Sequence, residues 1–247
     1  MSCVLPPEIL DLIIDHLHDE QAVLKACCIV SKSWVPCTRS HLFAHVELNA
    51  SKSHMDLWKK TFPDPSNSPA HYTSTLCISD LPTLTITNIY VGSWIRTFRN
   101  VVHLEFLYVG PEALIPFYGL SPAVRSLRMA HSTAEVFDLI CSFPLLEDLE
   151  LITPSSESDT DSWNIPSTSP KLTGTLDLRL LGAPTMTHII RRLLDLPGGL
   201  HFSKIDVMFF DIEAESVKDL VLACSDTLES LSTLCCPVCA SLFNPCD

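Results

Sequence analysis

Two short spacings in this chain carry the residue types of metal sites. Cys236-x-x-Cys239 is one half of a zinc knuckle, whose other half would have to come from Cys235, Cys246 or a distant histidine. His41-x-x-x-His45 has the i,i+4 spacing that sets two imidazoles on one helix face. Leu42, however, stands where a zinc hydrolase needs its glutamate, and His45 begins a strand pattern. Neither set is complete, so no metal site and no cofactor are expected. Phosphate-cradling loops are not expected either. Only seven glycines occur, Gly198-Gly199 is their sole adjacent pair, and the G-x-x-x-x-G-K-S/T, G-x-G-x-x-G and G-x-S-x-G patterns are missing. No pair of carboxylates with a partner histidine forms an acid/base set. The expectation is a protein without catalytic residues.

Composition narrows the partners. Of 247 residues 47% are hydrophobic, enough for a sizeable core, while the net charge is -13. Such a chain repels nucleic acid on average, and no Lys/Arg run makes a local exception. No apolar run approaches the roughly 20 residues that span a bilayer. The start lacks a basic segment followed by an apolar one, so no secretory signal is expected. Eleven scattered cysteines without such a signal read as reduced thiols. A cytoplasmic or nuclear protein with no membrane partner is the expectation.

The elements nearest the start are helical. Leu5, Ile9, Leu12, Ile13 and Leu17 fall at helical spacing, with Asp11, Asp15 and His16 on the other side. Pro6 and Pro7 suit a helix start, and Glu8 favours its dipole. Asp19 is the expected N-cap of a second helix through Ala22, Val23, Ala26, Cys27 and Val30. A third, short helix starts at Ser31 or Ser33 and runs through Trp34 toward Leu42-Phe43, with Pro36 allowed only in its first turn. Three short helices over about 40 residues make a marginal core and leave an apolar face for a partner or a neighbouring domain.

Taken together, Leu5, Pro6, Glu8, Ile9, Ile13, Leu17, Val30 and Trp34, followed by Leu42-Phe43, resemble an F-box. The resemblance covers residues 1–45. It implies a docking module for a Skp-type linker protein, contacted through Leu5, Pro6, Ile9, Ile13, Leu17, Val30 and Trp34, and through that linker a cullin–RING ubiquitin ligase. The departure from the pattern is Pro36, which interrupts the third helix.

Beyond residue 45 a short motif returns: one apolar residue, any residue, another apolar residue. Its copies are Val46-Glu47-Leu48, Leu76-Cys77-Ile78, Leu104-Glu105-Phe106, Leu127-Arg128-Met129, Leu149-Glu150-Leu151, Leu176-Asp177-Leu178 and Ile205-Asp206-Val207, with a last one near Leu231. Alternation marks strands with one buried face. Helical patterns lie between copies at 133–143, 185–196 and 212–223, and Pro144 and Pro197 close the first two. Successive copies are 22 to 30 residues apart. One strand plus one helix at that period resembles an irregular leucine-rich-repeat solenoid over 46–235, without the usual asparagine after the strand. The expected fold class is α+β: a three-helix F-box followed by the α/β solenoid. The rival is an open α/β sheet with helices on both faces, whose strands would read as continuous apolar runs. Residues 62–69 read as a loop. Residues 153–170 read as a long exposed insertion whose Ser155, Ser156, Ser158 and Thr160 are conceivable kinase targets, though a solvated loop is the plainer reading. A tail at 236–247 loses the pattern.

In such a repeat, residues beside the buried pair face the open side of the sheet. They are Glu47, His103, Glu105, Arg128, Asp148, Glu150, Asp177, Arg179 and Asp206, six acids to two bases. Glu47, Glu105, Arg128, Glu150, Asp177, Arg179 and Asp206 are the client-binding candidates, expected to prefer a basic or mixed-charge protein segment. The plainer alternative is that they only solvate the sheet. The expected function is therefore a substrate-recognition adaptor of a Skp–cullin–F-box type ubiquitin ligase. The alternatives are a repeat scaffold not engaged in ubiquitination and, weaker, a hydrolase on an α/β sheet.

Overall fold

A computed structural model describes residues 6–49, 52–81, 95–109, 114–130, 136–154, 169–181, 183–209 and 214–235. Three helices come first: α1 (Pro7–Asp15), α2 (Gln21–Val30) and α3 (Val35–Leu42). Proline opens α1, where its missing N–H costs nothing. Helix α2 is preceded by Glu20, not Asp19, and has no side-chain cap. Asp19 instead pairs with His18 at 3.1 Å, which draws its carboxylate away from the helix start. Helix α3 also starts later than either serine. Ser31 and Ser33 close a turn through their hydroxyls at 2.8 Å, and the helix begins at Val35. Pro36 therefore sits in its first turn and interrupts nothing.

These helices close on a small core of Ile14, Leu24, Cys27 and Thr38. The Thr38 hydroxyl donates to the Trp34 carbonyl at 2.7 Å, so a polar residue is buried there without loss. The sheet core is a separate cluster, reached from α3 through Phe43.

The rest of the described chain is one sheet of eight parallel strands: β1 (His45–Asn49), β2 (Thr75–Leu81), β3 (His103–Val109), β4 (Ser126–Ala130), β5 (Asp148–Pro154), β6 (Thr175–Leu181), β7 (Lys204–Phe209) and β8 (Ser230–Cys235). They lie in sequence order, each paired with the next. A sheet with helices on both faces reverses its strand order at a switch point, and this one does not. With right-handed crossovers, a constant direction of travel puts the connections on one side.

Register carries the sequence alternation across the molecule. Val46, Leu76, Leu104, Leu127, Leu149, Leu176, Ile205 and Leu231 form one row. Leu48, Ile78, Phe106, Met129, Leu151, Leu178 and Val207 form another. Both rows are buried from β1 to β7, and each such side chain is worth about 1.5–3 kcal/mol. On β8 burial ends, and Leu231 is 46% exposed.

The connections are uneven. Those after β1, β4, β6 and β7 hold α-helices: α4 (Lys52–Thr61), α5 (Val136–Cys141), α6 (Ala183–Leu194) and α7 (Ala214–Ala223). Between β3 and β4 the described residues hold only a 3-10 turn, Ile115–Phe117. Helix α4 carries Trp58, whose ring stands 6.2 Å from Phe43, 5.0 Å from Phe62 and 5.7 Å from Phe98 and closes the β1 end of the core. The segment 62–69 is more ordered than its composition predicts. It enters 3-10 turns at Pro65–Asn67 and Pro69–Tyr72, the second capped by the Ser68 hydroxyl, and Pro69 and Ala70 are buried. The insertion expected at 153–170 begins later, because Thr153 and Pro154 belong to β5. At its far end the Ser169 hydroxyl accepts the Gly198 amide at 2.8 Å. Most of that insertion, Ser155, Ser156, Ser158 and Thr160 included, and the 236–247 tail lie outside the described residues.

At the strand entrances a backbone ladder keeps the units in step. At six of the seven strand junctions the carbonyl before the strand accepts two successive amides from the next unit. Ala44 takes Ser74 and Thr75, Ser74 takes Val102 and His103, Val102 takes Arg125 and Ser126, and Arg125 takes Glu147 and Asp148. Gly174 and Ser203 continue the series. Both lone pairs of each carbonyl are thereby used.

Candidate functional site

Helix α1 turns Ile14 inward, at 2% exposure, and leaves Ile9, Leu12 and Ile13 exposed. Helix α2 likewise buries Leu24 and Cys27 and exposes Val23, Ile29 and Val30, the last two at 87% and 69%. Apolar exposure repeated on two consecutive helices marks surface that has something to bury. Of the linker-contact candidates, Pro6, Ile9, Ile13 and Val30 are exposed, and Leu17 and Trp34 are half-buried. Leu5 lies outside the described residues. Sequence reading missed Leu12, Val23 and Ile29 as members of this surface. The signal was available in their hydrophobicity, but a helix wheel alone does not say which apolar stripe packs inward.

The second surface is the open face of the sheet. Glu47, Cys77, Glu105, Arg128, Glu150, Asp177, Asp206 and Ser232 form one continuous row across all eight strands. Six of the seven client candidates lie in it. Arg179 lies two residues along β6, in the next row of the same face, paired with Ile152 and Met208. His103 and Asp148 stand in the row on the other side.

The bases on this face are already engaged. Arg128 spans three strands, with Nη1 3.0 Å from Glu105 and Nε 3.2 Å from Glu150, the latter a charge contact without hydrogen-bond alignment. Arg179 forks onto Asp177 at 2.7 Å. Lys204, absent from the sequence-derived set, reaches Asp206 at 2.7 Å. The count becomes six acids to three bases, and the face is less negative than composition suggested. Hydrogen bonds donated to the Asp177 and Asp206 carboxylates raise the Arg179 and Lys204 pKa values and hold both side chains charged. Cys77, in the same row, is 5% exposed; burial and then the charges of Glu105 and Glu47 push its thiol up to about 11. It stays protonated near neutrality and is no nucleophile.

A third cluster lies between α1 and α3. His41 Nε2 is 2.8 Å from Asp15 Oδ1, and the Cys37 thiol points at the same oxygen from 3.9 Å. His41 and His45 do not share a helix face: α3 ends at Leu42 and His45 opens β1, as the strand pattern at His45 led one to expect. Cys27, Cys28, Cys37, Cys77, Cys141 and Cys224 are free thiols. Among the described residues no helix is long and apolar enough to cross a membrane.

These features define a chain of mixed helix and strand, with a small helical unit and an eight-stranded parallel sheet, each presenting a surface to solvent. No protein-family model, curated protein or solved structure matches it.

Proposed function

We propose that this chain is the client-binding subunit of a Skp–cullin–F-box type ubiquitin ligase, working in the cytoplasm or nucleus. The observation that carries the reading is the exposure of Ile9, Leu12 and Ile13 on α1 and of Val23, Ile29 and Val30 on α2, in a helical unit whose own core lies elsewhere. An F-box needs such a surface to bury against its linker. Eight parallel strands in sequence order, joined at a period of 22 to 30 residues, is what a leucine-rich-repeat solenoid requires, and this supports the client-binding half of the proposal. The client would lie along the row from Glu47 to Asp206. Its contacts would be mixed rather than simply basic, since Arg128, Arg179 and Lys204 intersperse the acids.

The mechanism is proximity. Holding a client raises the concentration of its lysines at a ubiquitin thioester carried by other subunits, and no chemistry falls to this chain. The test is co-purification of a Skp-type linker with the intact chain. Replacing Ile9 and Ile13 by glutamate should abolish it without unfolding either unit, because both side chains face solvent. If the intact chain never retains the linker, the ligase reading is wrong, and an interaction scaffold outside ubiquitination takes its place.

A further inference from the structure

Helix α1 carries Asp11 and Asp15 four residues apart, and α3 carries Cys37 and His41 four residues apart. That spacing sets each pair on one face of its helix, one turn above the other. The two faces meet. The donor atoms of Asp15, Cys37 and His41 all lie within 4.8 Å of one another. Asp11, one turn before Asp15, is close enough for its charge to act on the Cys37 thiol. A tetrahedral zinc ion with bonds of about 2.0–2.3 Å spaces its ligands by roughly 3.5 Å, so rotamer adjustments alone close the set.

We propose that Asp15, Cys37 and His41, completed by Asp11 or a water, bind a zinc-type divalent ion that fastens α1 to α3. The donor set selects the metal. One thiolate and one imidazole exclude magnesium and calcium, which take oxygen ligands. Mixed sulfur, nitrogen and oxygen donors suit zinc, with cobalt as its spectroscopic substitute. Burial, and then the neighbouring Asp11 and Asp15, keep the free thiol protonated. Metal binding therefore releases that proton to solvent as the thiolate–metal bond forms.

The site has structural work to do. Ile14 is the one buried side chain among those described on α1, so little apolar contact holds this helix. By helical spacing Asp11 and Asp15 lie opposite Ile9 and Ile13. An ion there would fix α1 without covering its exposed apolar side.

The experiment is a cobalt titration of the full chain carrying Cys236→Ser and Cys239→Ser, which removes the Cys-x-x-Cys spacing near the end of the sequence. The expected result is a thiolate-to-cobalt absorption band saturating near one equivalent. It should be lost in Cys37→Ser and displaced by zinc. His41→Ala should weaken binding by at least the roughly tenfold that loss of an outer-shell partner costs. If the parent shows no band, or Cys37→Ser retains it, the proposal is wrong. Should Cys37→Ser lose its far-ultraviolet dichroism, Asp15→Asn at an exposed position carries the test. A weakened affinity then supports the site, and an unchanged one overturns it.

Discussion

Asp148 accepts the backbone amide of Thr175 on its side-chain oxygen, at 2.6 Å. At every other described strand entrance between β1 and β8 that amide goes to the carbonyl preceding the neighbouring strand. Here Glu147 takes only the Gly174 amide, and a carboxylate from within β5 replaces its second bond. The substitution fixes the identity of residue 174. A Cβ there would fall inside contact distance of the Asp148 oxygen and 3.1 Å from the Glu147 carbonyl. Asp148→Ala should cost about 1.5–3 kcal/mol, as expected for a hydrogen bond to a charged group. Gly174→Ala should cost a similar amount by displacing that carboxylate. The double variant should lose less than the sum, because both changes break one contact. Urea midpoints measured at unchanged m-value decide this.

The outward and inward isoleucines of α1 should separate cleanly. Ile14→Ala empties a packed site and should cost the helical unit about 2–4 kcal/mol. Ile9→Ser and Ile13→Ser should each stay within about 0.5 kcal/mol. Thermal melts followed by helical dichroism report the difference. Equal losses at positions 9 and 14 would mean that α1 packs on its other face.

Arg128 is the only base between Glu105 and Glu150 in its row. Arg128→Ala leaves Glu105 on β3 and Glu150 on β5 without the base that stands between them. The guanidinium side chain is 43% exposed, so the loss should be no more than about 1 kcal/mol, and salt should shrink it. Stability of both proteins across a salt series tests this. A difference independent of ionic strength would mean that Arg128 acts through packing of its stem.

Alkaline pH should destabilise the fold through two shielded thiols, Cys77 buried and Cys141 half-buried. Burial raises the pKa of Cys141 to about 11, with Asp138 adding to it, and Cys77 stands at the same value. In the unfolded chain such thiols ionise near 9. The folded state thus keeps a proton that the unfolded state gives up. The associated stability is complete below about pH 9 and disappears as pH rises through about 11. Cys141→Ala should flatten the fall in stability over that interval relative to the unaltered chain.

The strands were legible because their signal is local: one buried row requires alternation, and each copy from Val46 to Ile205 displays it. Their order was legible from the regular spacing, which leaves room for one return path per strand. Helix α4 was harder to foresee, since Trp58 and Phe62 make their case only when Phe43 and Phe98 arrive from other elements. The same holds for the surfaces. The outward row was readable from Glu47 to Asp206, but Lys204 joins it through the length of its side chain, not its position in the motif. The Asp15–Cys37–His41 cluster was invisible because its members are 22 and 26 residues apart. His41 was weighed against its neighbour in sequence, while its partner in space stood on another helix.

Because the strands follow one another in order, almost every contact of the sheet joins residues about one connection apart. Folding then needs no distant segment to arrive first. It can nucleate wherever one pair of units closes and spread from there. The last strand, with Leu231 and Leu234 exposed, has one neighbour where interior strands have two. Loosening should start at that end and progress unit by unit, so amide exchange should fall from β8 toward the middle of the array in steps.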